Sequence, residues 1–206
     1  LSIDWATQPV PGVFIFDPDG NAWGILNASS GQCIVKIVPN SSGTSGTVTS
    51  IYGAFGSCNS LAFSEGVLAY EKLGRTGTRA RSLAWLDSDH LAISTDNGIY
   101  SWDISVTPDS TSLVKITNFP ASKIAIDSNQ NLYLVQSNSG TSINTQVLVK
   151  KVSLLTPDIS TTLYTAGALG ISCPDIKNIV ASNSGILYIS CLIEPGRFNT
   201  FQIDLV

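Results

Sequence analysis

The feature that most limits the possible folds of this chain is a short repeat found in at least three copies. Each copy joins two apolar segments through a tight polar turn, and a polar residue lies six positions before an aromatic residue. The three copies are FDPDGNAWGI (16–25), IDSNQNLYLV (126–135) and ASNSGILYIS (181–190). FSEGVLAY (63–70) has the same spacing, and LDSDHLAIS (86–94) is one residue shorter. Short apolar segments bounded by such turns predict β-hairpins, so we expect an all-β chain.

Composition narrows the classes of protein further. The chain has 206 residues, a length that fits one domain over residues 1–206. Only 13% of the residues are charged, 43% are hydrophobic, and the net charge is −4. This composition is unlike that of disordered chains, and it lacks the basic excess of nucleic-acid-binding proteins. No apolar run is long enough for a membrane span, and no cofactor is indicated.

The spacing of the repeats predicts a β-propeller. A period of about 40 to 50 residues with about four strands is typical of propeller blades, and five repeats in this chain average about 41 residues. The interval from Ser64 to Asp87 is too short for four strands, so we expect five blades, one of them reduced to two strands around residues 61–72. A ring of four blades is the alternative. We also expect residues 1–7 to supply the outer strand of the last blade and so to close the ring.

Two motifs resemble known propeller repeats. The turn that begins at Asp17 and reaches Trp23 is similar to NHL and gluconolactonase-type repeats, and DNGIYSWDI (96–104) is similar to the third-strand signature of WD repeats. The resemblance implies antiparallel four-stranded blades around a central channel. It also implies a possible divalent metal at the channel mouth, held in gluconolactonase-type proteins by carboxylates and amides.

The segments that enter the predicted inner strands offer few metal ligands. Asp175 is their one carboxylate, all their other charged side chains are basic, and a hard cation needs several oxygen ligands. We therefore expect no metal and instead a cationic mouth. Its long basic side chains are expected to be solvated at the loop edges, with binding of an anion such as a carboxylate or a sulfated or uronic sugar as the alternative. The candidate residues are Asn59, Arg79, Arg81, Lys123, Asp175, Lys177 and Asn178.

The cysteines and two sequons indicate a secretory history. The four cysteines fall on one predicted face, which favours the disulfides Cys33–Cys58 and Cys173–Cys191, although buried free thiols are the alternative. Asn27 and Asn40 begin N-glycosylation sequons. The first residue is Leu1, so we expect a mature or excised part of a longer product.

The remaining candidate residues give weaker evidence for a function. His90 is the only histidine and is predicted to be a turn residue, so no catalytic residue is assigned. The basic segment 72–81 is predicted to be a solvated loop, with docking or proteolysis as the alternative. The tryptophans are predicted to pack within and between blades, and they are Trp5, Trp23, Trp85 and Trp102.

Together these observations favour a secreted or extracellular glycoprotein with disulfide bonds, acting as a non-catalytic binding or structural module. Its expected partners are proteins or glycans at the cell surface or in the matrix. One alternative is a hydrolase similar to lactonases or strictosidine synthase, with a mouth site that includes Asp175 and Asn178. Another is a self-associating subunit of an extracellular polymer, which the low charge permits.

Overall fold

The computed structural model describes residues 2–4, 14–28, 31–42, 45–56, 80–95, 97–105, 113–137, 147–157, 159–165, 175–194 and 197–204. Within these ranges the chain forms sixteen β-strands and no helix. The all-β prediction is therefore confirmed.

The strands form four antiparallel sheets that follow one another along the chain. The first sheet contains β1 (Ser2–Asp4), β2 (Phe14–Phe16), β3 (Ala22–Ala28), β4 (Gly31–Pro39) and β5 (Ser45–Gly56). The second contains β6 (Ala80–Trp85), β7 (His90–Thr95), β8 (Gly98–Asp103) and β9 (Leu113–Thr117). The third contains β10 (Lys123–Ile126), β11 (Asn131–Ser137), β12 (Val147–Ser153) and β13 (Ser160–Thr165). The fourth contains β14 (Asp175–Ala181), β15 (Ile186–Glu194) and β16 (Arg197–Asp204).

This arrangement is a propeller of four blades. In each sheet the strands from β2, β6, β10 or β14 onward pair in chain order, as the meander of a propeller blade requires. The described residues thus match the four-blade alternative rather than the favoured five. The reduced blade expected around residues 61–72 lies outside the described residues.

The N-terminal strand does not close the last blade, and this expectation was wrong. β1 pairs with β5 of the first sheet, where Ser2 lies opposite Thr47 and Asp4 opposite Ser45. The physical reason is that the outer strands β5 and β16 both offer free backbone groups to an added strand, so the choice between them depends on packing of the whole molecule. β1 pairs with three residues of β5, while the last sheet ends at β16.

The core lies between neighbouring sheets. One apolar cluster joins Trp23 and Ile25 of the first sheet to Leu83 and Trp102 of the second. Trp23 and Trp85 meet edge to face with ring centroids 5.5 Å apart, and Trp85 Nε1 donates to the Phe16 carbonyl at 2.9 Å. The prediction that these tryptophans pack between blades is confirmed for Trp23, Trp85 and Trp102, and Trp5 lies outside the described residues.

Two further clusters continue this packing around the propeller. Ala92 and Ile99 of the second sheet pack with Ile124 and Leu134 of the third. The next cluster joins the third sheet to the fourth, and it contains Tyr133, Val135, Val149, Ile179, Leu187, Ile189 and Cys191. Each sheet is therefore held mainly by apolar contacts with its neighbours.

The acidic residue of the repeat organises the hairpin turn between the first two strands of a blade. Asp127 accepts hydrogen bonds from the Asn131 backbone and from the Tyr133 hydroxyl, both at 2.8 Å. Asp17 similarly accepts from the Asn21 backbone at 2.8 Å and from Trp23 Nε1 at 3.1 Å. The six-residue spacing thus lets one carboxylate bind both the turn and the aromatic ring; we call this arrangement the carboxylate–ring contact.

These hydrogen bonds shift the pKa values of the groups involved. Burial acts to raise the pKa of Asp127, but the hydrogen bonds from Asn131, Tyr133 and Asn129 outweigh it and hold the pKa below its ordinary value. Burial and the bond to the Asp127 carboxylate both raise the pKa of Tyr133. Both groups are therefore held in the protonation states that keep the contact.

Candidate binding surface at the channel mouth

The first strands of the blades bring several predicted mouth residues to one face of the propeller. β10 contacts both β6 and β14, and each of these inner strands runs from this face toward its hairpin turn on the opposite face. Arg81, Lys123 and Lys177 lie at or near the beginnings of these strands. We call these three residues the mouth surface.

Two of the three basic residues lie in β-bulges. Ala80 and Ser82 of β6 lie opposite Thr95 and Ser94 of β7, so Arg81 is the additional residue between them. In β14, Ile176 and Asn178 lie opposite Cys191 and Ser190, which makes Lys177 the additional residue. A bulge redirects its side chain relative to the regular strand, and both side chains are exposed.

A buried hydroxyl links the second and third blades beneath Arg81 and Lys123. The Ile124 backbone N–H donates to Ser82 Oγ at 3.3 Å, and Ser94 Oγ donates to the Ser82 carbonyl at 3.3 Å. Arg81 directly precedes Ser82 and Lys123 directly precedes Ile124, so both basic residues adjoin this link between the two blades. Ser82 was not among the residues singled out from the sequence, since a lone serine carries no local signal.

The remaining predicted mouth residues are only partly described. Asn178 is exposed, and its Oδ1 accepts the Ile179 backbone N–H at 3.0 Å. Asp175 begins β14, but its side chain is not described. Asn59 and Arg79 lie outside the described residues. The structure therefore places Arg81, Lys123, Lys177 and Asn178 at the same end of the inner strands, and their role in binding stays a prediction.

Within the described ranges there is no group of three or more His, Cys, Asp or Glu side chains that could hold a metal ion. The mouth surface offers basic side chains on the first strands of three blades. Arg and Lys in such positions attract carboxylates and sulfates and orient them by charge-assisted hydrogen bonds.

His90 belongs to the opposite face. It follows the turn between β6 and β7, and its Nδ1 lies 2.9 Å from Asp87 Oδ1. Asp87 also accepts the backbone N–H groups of Asp89 and His90, at 2.8 and 2.7 Å. Burial acts to raise the pKa of Asp87, but these bonds and the contact with His90 lower it overall. His90 thus stabilises a turn, as the sequence predicted.

The predicted modification sites are also placed in part. Asn40 is exposed in the turn between β4 and β5, where its Oδ1 accepts from Ser42 Oγ at 3.1 Å. Asn27 lies on β3 opposite Gln32, and its side chain is not described. Cys191 is fully buried on β15, and none of the cysteines described is a free thiol. Cys58 and Cys173 lie outside the described residues.

In the part of the chain that is described, no helix is long and apolar enough to span a membrane.

Comparison with solved structures agrees with this architecture. The chain is similar to the luciferin-regenerating enzyme, with a TM-score of 0.52 and 15% identity over 92% of this chain and 59% of that one. The chain has the fold of a β-propeller. It spans about three fifths of the length of that enzyme.

A second similar structure is regucalcin, a calcium-binding protein from Agrobacterium tumefaciens, with a TM-score of 0.47 and 13% identity over 94% of this chain and 70% of that one. No family model and no curated protein sequence matches the chain. The similarity therefore extends to the propeller fold, while the resemblance of the motifs to NHL, gluconolactonase-type or WD repeats remains a prediction.

Proposed function

We propose that this chain is a non-catalytic, extracellular propeller module whose mouth surface binds an anionic glycan that carries uronate or sulfate groups. The observation that carries the proposal is the arrangement of Arg81 and Lys123. The hydrogen bond from Ile124 to Ser82 holds the neighbouring residues together, so the two basic residues start from first strands of adjacent blades that are joined at this point.

The charge distribution supports the same function. The chain as a whole has a net charge of −4, yet Arg81, Lys123 and Lys177 are grouped at one face of the inner strands. Basic side chains grouped at one face of an acidic protein favour the approach of an anion at that face. Arg81 and Lys177 both lie in bulges and are both exposed, so a ligand at this face can reach their side chains.

The test is a titration of the protein with two polyanions, hyaluronate for the uronate group and dextran sulfate for the sulfate group, with neutral dextran as a blank. We expect one or both polyanions to bind, and added salt to weaken binding because the attraction is between exposed charges. The double substitution Arg81→Gln with Lys123→Gln should weaken binding about tenfold, since two surface ion pairs to the ligand together contribute about 1.4 kcal/mol.

The matched control is the double substitution Lys115→Gln with Lys151→Gln. It removes the same charge from β9 and β12, which are not first strands of their blades. If both double variants weaken binding equally, only the net charge matters and the proposed site is wrong. If neither polyanion binds the unsubstituted protein, the proposed function itself is wrong.

The extracellular location is proposed from the modification sites. The exposed turn position of Asn40 would be accessible to glycosylation, although its Nδ2 donates to Ser45 Oγ at 2.7 Å and would have to be released. The burial of Cys191 is compatible with the proposed disulfide to Cys173, and Cys33–Cys58 is the other proposed pair.

Intact mass of the protein from its native source, before and after glycosidase treatment and reduction, tests these modifications together. We expect a mass loss on glycosidase treatment and a gain of the mass of four hydrogen atoms on reduction of two disulfides, two for each bond. Non-reducing peptide mapping that links Cys33 to Cys173 would contradict the pairing. An unglycosylated chain with four free thiols would contradict the extracellular location.

A further inference from the structure

The turn between β7 and β8 lies at the same end of the second sheet as Arg81. β6 begins at the mouth face and β7 runs back to it, so Thr95 at the end of β7 lies opposite Ala80 at the start of β6. Thr95 also lies opposite Gly98, the first residue of β8. Asn97 directly precedes Gly98 and is exposed. The Asn97-Gly98 pair therefore belongs to the face that carries the mouth surface.

The same turn is also attached to the third blade. The Thr95 carbonyl accepts a hydrogen bond from the backbone N–H of Ala121 at 3.4 Å. Ala121 lies in the segment that enters β10 at Lys123. The turn is thus joined both to the start of β6, next to Arg81, and to the segment that leads into Lys123.

Packing against β9 restricts residue 98 to glycine. Gly98 has a φ of 129°, and a Cβ atom there would overlap the carbonyl oxygen of Thr117. Residues with a side chain rarely adopt this backbone conformation, so the local geometry and the close contact both favour glycine. The fold of this turn therefore keeps a glycine directly after Asn97.

An asparagine followed by glycine is the sequence that loses its side-chain amide most readily. The backbone nitrogen of the glycine gives up its proton to base, attacks Cγ of the asparagine and expels the amide nitrogen as ammonia, which leaves a cyclic succinimide. Water then opens the ring at either carbonyl and gives aspartate or isoaspartate. One water is consumed and one ammonia is released. The neutral amide becomes a carboxylate that is charged at neutral pH.

We propose that Asn97 is a site of spontaneous deamidation, and that the reaction lowers the affinity of the mouth surface for anions. The second part rests on the proposed function. Asn97 is the one asparagine of the chain that is followed by glycine. A carboxylate in the turn that adjoins the starts of β6 and β10 offsets part of the positive charge of Arg81 and Lys123 and repels an anionic ligand.

Peptide mapping by mass spectrometry tests the modification itself, on protein kept in neutral and in mildly alkaline buffer. We expect the peptide that contains Asn97 to gain the mass difference between OH and NH2, and to do so faster at the higher pH because the attacking nitrogen must lose its proton. Asn40 is the control within the chain, since it is also exposed in a turn but is followed by serine. If Asn40 reacts as fast as Asn97, or if the Asn97 peptide keeps its mass, the proposed site is wrong.

Titration with hyaluronate and dextran sulfate tests the effect on binding. Asn97→Asp supplies the new charge without the additional backbone atom of isoaspartate, and it should weaken binding about threefold, as is typical of one exposed charge. Asn40→Asp is the matched control, because the turn between β4 and β5 lies on the opposite face, and it should leave binding unchanged. Asn97→Ser has no amide to lose, so its affinity should match that of the fresh unsubstituted protein and stay constant during storage.

The outcomes separate the modification from the proposed function. Equal weakening by Asn97→Asp and Asn40→Asp, or no weakening by Asn97→Asp, overturns the effect on the mouth surface. If neither polyanion binds the fresh protein, the proposed function is wrong and so is the effect of deamidation on it. The peptide map decides independently of any polyanion whether Asn97 deamidates.

Discussion

A single carboxylate in the repeat has several hydrogen-bond partners, and this makes it a sensitive position. Asp127 is 8% exposed and accepts from Asn131, Tyr133 and Asn129. In Asp127→Asn one acceptor oxygen becomes an amide donor that faces the Asn131 amide and the Tyr133 hydroxyl. We expect the free energy of unfolding to fall by about 2 kcal/mol, as is typical for an unsatisfied buried hydrogen bond. Urea denaturation measures this change.

Asp19→Asn is the control for Asp127→Asn. Asp19 occupies an exposed position in the equivalent turn of the first blade, so the same chemical change should alter stability by no more than about 0.5 kcal/mol. Equal effects of the two substitutions would show that the carboxylate–ring contact contributes no specific stability.

The lowered pKa values of Asp17 and Asp127 predict how stability depends on pH. A carboxyl group with a lower pKa in the folded state stabilises that state above its unfolded pKa of about 3.9. This contribution is lost as the pH falls from there through the folded pKa. We therefore expect the urea midpoint to fall as the pH is lowered below about 4.

The comparison variant for the pH series is Asp127→Asn, which has one fewer of these groups. Its urea midpoint is expected to be lower at neutral pH and to change less with acidification. A pH profile parallel to that of the unsubstituted protein would contradict the assignment of a lowered pKa to Asp127.

At the scale of the element, the turn between β7 and β8 depends on one glycine. Gly98 has a φ of 129°, and a Cβ atom there would overlap the carbonyl oxygen of Thr117 on β9. Gly98→Ala is expected to lower the free energy of unfolding by at least about 2 kcal/mol, because both the backbone and the strand pairing are strained. Thermal unfolding measured by circular dichroism checks this.

Gly20→Ala separates the backbone effect from the steric one. Gly20 also has a positive φ, of 82°, but a Cβ atom there meets nothing within 4 Å. Only the conformational cost remains, about 1 kcal/mol. If Gly20→Ala destabilises the protein as much as Gly98→Ala does, the close approach of β8 to β9 has no part in the effect.

The hairpins were predictable from the sequence because their signals are local. The Asn97-Gly98 turn is one example, and the spacing of Asp127 and Tyr133 is another. The bulges at Arg81 and Lys177 were not predictable, because a bulge depends on how two separate strands pair. For the same reason, sequence indicated that basic residues enter the inner strands but not that Ser82 holds two blades together beneath them.

At the scale of the whole molecule, sequence predicted a propeller but not its blade count or the position of β1. Blade number depends on which strands share a sheet, and spacing between repeats is only an indirect measure of this. The N-terminal segment had two open edges to choose from, β5 and β16, and nothing local in residues 2–4 distinguishes them. The blade number and the edge with which β1 pairs both depend on how all the sheets of the ring pack together.

Packing between blades also predicts that a core substitution in one blade lowers the local stability of the blade beside it. Leu187 is fully buried on β15 and packs in the cluster that contains Tyr133 and Val135 of the third sheet. Leu187→Ala should lower the free energy of unfolding by about 3 kcal/mol through lost burial and a residual cavity. Because the cluster is shared, amide hydrogen exchange should become faster in β11 as well as in β15, although β11 lies in another sheet.

The control is Leu155→Ala, at a leucine that is 88% exposed, and it should change neither the free energy of unfolding nor the exchange rates. Faster exchange confined to the fourth sheet would mean that the blades unfold independently, and that the shared clusters do not couple them.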